Sequence, residues 1–173
     1  MRLNRASGLA GLAGVRARGV VPGVNLPLLR PLLSWRRDEL AAIVASAGPE
    51  PAHDPSNADE AYDRVRIRQA LAGAEWLDAE AVAASAVHLA DADEAIDWIV
   101  ERVWDEAVTV ADGGIRYQPG EPRAVALRVV TRIVEGFGGS PRGGAIARLV
   151  TELENGVGGN VAGVAATAEG GGW

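Results

Sequence analysis

Residues 78–106 repeat apolar side chains at helical spacing for longer than any other part of the chain, and this stretch most constrains the fold. Val82, Leu89, Ile96, Ile99, Val100 and Val103 recur at the helical period. The chain carries 22 Gly and 9 Pro, yet none falls inside the stretch. One long amphipathic helix is therefore predicted, with other elements packed along its apolar side. Asp91, Glu94, Asp97, Glu101 and Asp105 follow one another at steps of three and four. Carboxylates alone at that spacing read as a solvated face rather than a metal site.

Shorter elements follow from local chemistry. Residues 108–110 and 115–117 flank Asp112-Gly113-Gly114 and predict a hairpin. Pro122 opens a helix with Val125, Val129, Val130, Ile133, Val134 and Phe137 inward and Arg128 and Arg132 outward. Ser140-Pro141 is an N-cap with Pro at the first helical position. It precedes a last helix through Ile146, Leu149, Val150 and Leu153, closed by Asn155-Gly156. The Gly-rich tail that follows holds too little apolar material to fold alone. Toward the N-terminus, any helix over 1–5 ends near Gly8, and Val20-Val21-Pro22-Gly23 is a turn. Residues 24–33, broken by Pro27 and Pro31, read as a buried edge strand. Ser34 caps a helix that runs to Ala47 with Leu40, Ile43 and Val44 as its stripe. Asp54-Pro55-Ser56-Asn57 is a turn by chemistry, and Asn57 or Asp59 caps a helix carrying Tyr62, Val65, Ile67 and Leu71. Arg64 and Arg68 lie one turn apart on that helix.

Composition excludes several classes of chemistry. With 48% apolar and 23% charged residues over 173 positions, the chain can build a core of one ordinary domain or two small ones. Zero Cys removes disulfides, thiolate metal sites and cysteine nucleophiles. All 17 basic residues are Arg, so a P-loop of the G-x-x-x-x-G-K-[ST] type is impossible. His53 and His88 lie far apart and lack a metal-ligand pattern. No apolar run approaches the roughly 18–20 residues that span a bilayer, so no membrane partner is expected. Charge is segregated: residues 1–37 hold seven Arg and no acid, whereas residues 69–111 hold ten acids and one Arg. A polyanion could approach the first segment and would be repelled by the second.

Three short stretches stand out in order. They are Arg5-Ala6-Ser7-Gly8-Leu9-Ala10-Gly11-Leu12, then Arg30-Pro31-Leu32-Leu33 followed by Arg36-Arg37, then Asp54-Pro55-Ser56-Asn57-x-Asp59-x-x-Tyr62-x-Arg64-Val65-Arg66-Ile67-Arg68. Together they resemble the tRNA(Ile)-lysidine synthetase family of the N-type, PP-loop ATP pyrophosphatases, with its R-G-S-G-x-x-G-L, R-P-L-L, D-x-S-N-x-D and R-N-x-x-R segments. Ala6 stands where that family prefers Gly, and Val65 where it prefers Asn. The family's S-G-G-x-D-S loop does not occur in these residues.

The resemblance implies an α/β fragment plus a helical domain, mainly α. Residues 1–75 would be the C-terminal part of a Rossmann-like ATP pyrophosphatase domain, 76–155 a helical second domain and 156–173 a truncated tail. It implies ligation of L-lysine to the wobble cytidine of tRNA(Ile) through an adenylated intermediate, with ATP as substrate and Mg2+ as companion ion, in the cytoplasm, and it allows a homodimer. Arg5, Ser7 and Gly8 would line the phosphate site. Arg64 and Arg68 would face the tRNA or the reaction centre, and Arg36 and Arg37 the RNA backbone. Without the pyrophosphate loop, the piece alone is expected to be inactive. The rival expectation is a non-enzymatic helical module that binds RNA or protein, complete from Met1.

Overall fold

A computed structural model describes residues 7–21, 24, 26–52, 54–111, 113–141 and 144–173. The long helix predicted from periodicity is α4, Ala79–Ala107. Asp78 caps it: the carboxylate accepts the backbone N–H of Glu80 (2.8 Å) and of Ala81 (3.2 Å). Earlier elements are α1 (Leu9–Leu12), β1 (Arg18–Val20), β2 (Pro27–Leu29), α2 (Arg37–Ala47), a 3-10 turn (Pro55–Asn57) and α3 (Asp63–Ala72). Later ones are β3 (Val108–Ala111), β4 (Gly114–Tyr117), α5 (Arg123–Gly136), α6 (Ala145–Glu154), β5 (Gly159–Val161) and β6 (Val164–Ala166). The chain divides into two compact units, Met1–Ala90 and Asp91–Trp173.

The second unit holds the hydrophobic core. Val100 and Val103 of α4, Tyr117 of β4, Val125, Val129, Val130 and Val134 of α5, and Ile146, Leu149, Val150 and Leu153 of α6 are buried together. Apolar positions three and four apart put one face of each helix into that core. β3 and β4 pair antiparallel as expected, with Val108 opposite Tyr117 and Ala111 opposite Gly114; Asp112 lies outside the described residues. Pro122 is the N-cap of α5. Its missing N–H costs nothing there, because the first helical N–H groups have no intrahelical acceptor.

Four expectations for this unit change. Phe137 is half exposed, because α5 ends at Gly136 and Phe137 becomes its C-cap. The last helix starts at Ala145 with Gly144 as N-cap, so Ser140-Pro141 does not open it; Arg142 and Gly143 lie outside the described residues. Arg128 and Arg132, partly exposed, turn onto α4 instead of standing free in solvent. The Arg128 guanidinium donates to Asp93 and to Asp97 (2.7 Å), and Arg132 donates to Glu101 (2.8 Å) and stacks on Trp104 at 4.2 Å. Part of the acidic stripe is thus the seam between α4 and α5, and Asp93, outside that stripe, is 2% exposed.

The fourth change concerns the tail. It forms a hairpin, with Val161 opposite Val164, and its last residue completes the core. Trp173 and Tyr117 exchange both backbone hydrogen bonds (2.8 and 2.9 Å), and their rings meet edge to face at 5.6 Å. Glycine is needed where this segment packs closest. A Cβ at Gly158 would sit 2.7 Å from the Ala166 carbonyl oxygen.

The first unit is built differently. Ala13 and Val65 are its buried apolar residues among those described. The expected edge strand over 24–33 is only β2, paired antiparallel with β1 so that Val20 faces Pro27. Pro27 takes the first strand position, where its absent N–H is tolerated. Neither strand is buried: Val20, Leu26, Leu29, Leu32 and Leu33 are all exposed. Ser34 does not cap α2; Arg36 does, and its backbone N–H donates to the Glu39 carboxylate (2.7 Å) three residues on. Gly48 ends α2 in the left-handed region (φ 88°), as the Gly-Pro signal predicts. The expected helix over 1–5 lies outside the described residues. Gly8 begins a helix, as N-cap of α1, rather than ending one.

Candidate functional site

The turn at 54–59 shapes the part of the first unit where the charged motif residues gather. Asp54 accepts the backbone N–H of Ser56 (2.9 Å), and Asp59 accepts that of Ala61 (2.8 Å). These side-chain-to-backbone bonds replace a regular ladder and hold the turn open before α3. The Ser56 backbone N–H, then the Ser56 side chain and the nearby Arg64 charge, hold the Asp54 carboxyl below its usual range.

Helix α3 then sorts its arginines. Arg66 turns back, donating to the Asp63 carboxylate and to the Glu60 carbonyl (3.0 Å). Arg64 instead lies 5.0 Å over the ring of Tyr62, the N-cap residue of α3. Arg68 is exposed one turn on, and neither Arg64 nor Arg68 takes part in the salt bridges among the described residues. Arg66 is thus paired with Asp63, while Arg64 rests on the Tyr62 ring. Val65, where the resembled pattern has Asn, is 3% exposed and anchors the helix.

Arg37 reaches the same region from α2. It lines a groove of about 410 Å³ together with Leu40, Val44, Pro51, Asp54 and Asn57. The second and third sequence stretches therefore meet in space at Arg37 and the Asp54–Asn57 turn. Arg36, by contrast, donates to Glu80, with both side chains largely in solvent, an arrangement worth little energy.

Ser7 and Gly8 sit at the start of α1. Ser7 is half-buried, and the Gly8 carbonyl accepts the N–H of Leu12 (3.0 Å). A Cβ at Gly11 would lie 2.8 Å from the Ser7 Cβ, so glycine there lets Ser7 lie against the helix. Arg5 lies outside the described residues. Among the described residues no group of three His, Asp or Glu side chains converges to hold a metal ion.

The sequence sets Tyr62 among the apolar positions of a helix capped by Asn57 or Asp59, whereas Tyr62 is itself the N-cap residue and α3 begins at Asp63. No described helix is long and apolar enough to cross a membrane.

Residues 1–75 match the PP-loop domain family. Over its full length the chain is 48% identical to the tRNA(Ile)-lysidine synthase of Novosphingobium aromaticivorans, covering 54% of that protein. It is 35% identical to that of Zymomonas mobilis over 90% of this chain and 49% of the relative. With that of Ruegeria pomeroyi it shares 36% over 90% of this chain and 39% of the relative. The chain spans about half the length of the curated relatives it matches.

Proposed function

We propose that this chain, which belongs to the tRNA(Ile)-lysidine synthetase family, is the RNA-facing and helical part of an ATP-dependent tRNA-modifying ligase. In the reaction proposed for the whole protein, ATP adenylates O2 of the wobble cytidine of tRNA(Ile) and releases pyrophosphate. The amine of L-lysine then displaces AMP. Such chemistry depends on positioning and on stabilising phosphate charge, which suits arginine because its guanidinium forks onto phosphate oxygens.

The observation that carries this reading is the fold of the third motif. Asp54 and Asp59 brace the turn and Asp63 pairs with Arg66, while Arg64 and Arg68 enter none of the salt bridges among the described residues. In this reading Arg64 and Arg68 face the tRNA or the reaction centre. Arg37 and Arg36 contact RNA backbone, and Arg5, Ser7 and Gly8 serve the nucleotide phosphates. Residues 1–75 are the nucleotide-handling domain and 76–155 a helical domain, with 156–173 completing it as a docked hairpin. A Mg2+ ion, if used, arrives on the phosphates of ATP. A location in the cytoplasm, where tRNA and ATP are found, belongs to the same reading.

Because the S-G-G-x-D-S loop does not occur among the 173 residues, the chain alone is expected to be inactive. The test is ATP–pyrophosphate exchange with tRNA(Ile) and lysine. Background exchange is expected, and exchange well above background from this chain would overturn the assignment.

A further inference from the structure

We infer that Tyr62 is a stacking platform for an unpaired base of the RNA, with Arg64 and Arg68 holding the flanking phosphates. This rests on the proposed tRNA reading and names a residue within it. The side chain of Tyr62 is 46% exposed although the ring is large and apolar. Its backbone is extended (φ −92°, ψ 124°), since it is the cap that precedes α3 rather than a residue inside it. The ring therefore stands at the N-terminal end of α3.

Four acids and three arginines share residues 54–68, so the exposed ring rather than the net charge carries the recognition. Asp54 and Asp59 accept backbone N–H groups of the turn, and Asp63 is paired with Arg66. The Glu60 backbone carbonyl accepts from the Arg66 guanidinium. Arg64 lies over the ring at 5.0 Å, and Arg68 follows one turn later. An exposed aromatic ring with one guanidinium stacked on it and a second a helical turn further on is an arrangement with which proteins hold single-stranded bases. A duplex cannot use it, because its bases are already stacked.

Stacking and phosphate contact leave different signatures in salt. A phosphate contact to a single strand adds about 0.7 to the slope of log affinity against log salt, whereas stacking adds none. The probe is an RNA hairpin with a cytidine-containing single-stranded loop, titrated with the full chain at several salt concentrations. Tyr62→Ala is expected to weaken binding about tenfold or more with the slope unchanged. Tyr62→Trp should keep or tighten binding. Arg64→Gln and Arg68→Gln should each lower the slope. A blunt duplex should bind Tyr62→Ala and wild type equally. Loop binding that Tyr62→Ala leaves intact would overturn the platform while the RNA reading stands. No salt-dependent binding by wild type would overturn both. Circular dichroism of each variant separates lost contact from lost folding, and a Tyr62→Ala loss accompanied by unfolding of α3, with Tyr62→Leu folded and tight, would also count against it.

Discussion

Arg128 carries the most consequential polar contact in the second unit. Its guanidinium bridges Asp93 and Asp97, and the Asp93 side chain is only 3% exposed. Burying that carboxylate is tolerable only with the cation beside it. Arg128→Met should cost about 3 kcal/mol, because it takes the guanidinium away from a buried carboxylate. Arg128→Met combined with Asp93→Leu should recover most of that loss, since an apolar pair of similar volume replaces an ionic one. Urea denaturation of the single and double variants measures both. Tyr117 provides a pH signal. Burial, then its hydrogen bond to Glu121 (2.7 Å), raises the phenol well above its ordinary range. The unfolded chain therefore loses this proton at a pH where the folded chain keeps it. The stabilisation is fully present below about pH 10 and declines as pH rises beyond it toward the folded value. Stability measured from pH 9 upward should fall for wild type, and the Tyr117 contribution to that slope should vanish in Tyr117→Phe. A wild-type slope identical to that of Tyr117→Phe would refute the assignment.

Helices and hairpins of the second unit depend on one another more than on their own propensity. α6 is ten residues long, short for an isolated helix in water, and owes its order to the burial of Ile146, Leu149, Val150 and Leu153. The closing hairpin covers that face and brings Trp173 against Tyr117. Removing residues 159–173 should therefore uncover the core rather than trim a loose end. Thermal unfolding of the truncated chain is expected to lose cooperativity, with increased binding of an apolar dye; an unchanged transition would show that the hairpin is dispensable. Gly158→Ala is a milder probe of the same packing. Its new methyl would press on a backbone oxygen that cannot rotate away, and a drop of several degrees in Tm is expected.

For the molecule as a whole, the uneven distribution of buried apolar residues predicts uneven stability. Hydrogen exchange should be slow across α5, α6 and the part of α4 from Asp91 on, and fast across β1, β2 and α2, where the backbone has few buried neighbours. Comparable protection in the two units would contradict this. The long helix, the 108–117 hairpin and the valine stripe of α5 were all readable from the sequence, because helical period and Gly turns are properties of neighbouring residues. The three motif stretches and their order were readable for the same reason. Other features depended on partners distant in sequence. Arg128 and Arg132 at a spacing of four look the same whether they face water or a row of carboxylates, so only the packing of α5 against α4 set their direction. Asp93 gives no sign of burial until Arg128 is placed beside it. The tail looked too small for a fold because its core lies elsewhere, in Tyr117 and Leu149. Local chemistry determined which elements form and which arginines share a helix. The tertiary structure decided which charges are paired and which remain open to a ligand, because pairing is settled by groups that meet only after the chain has folded.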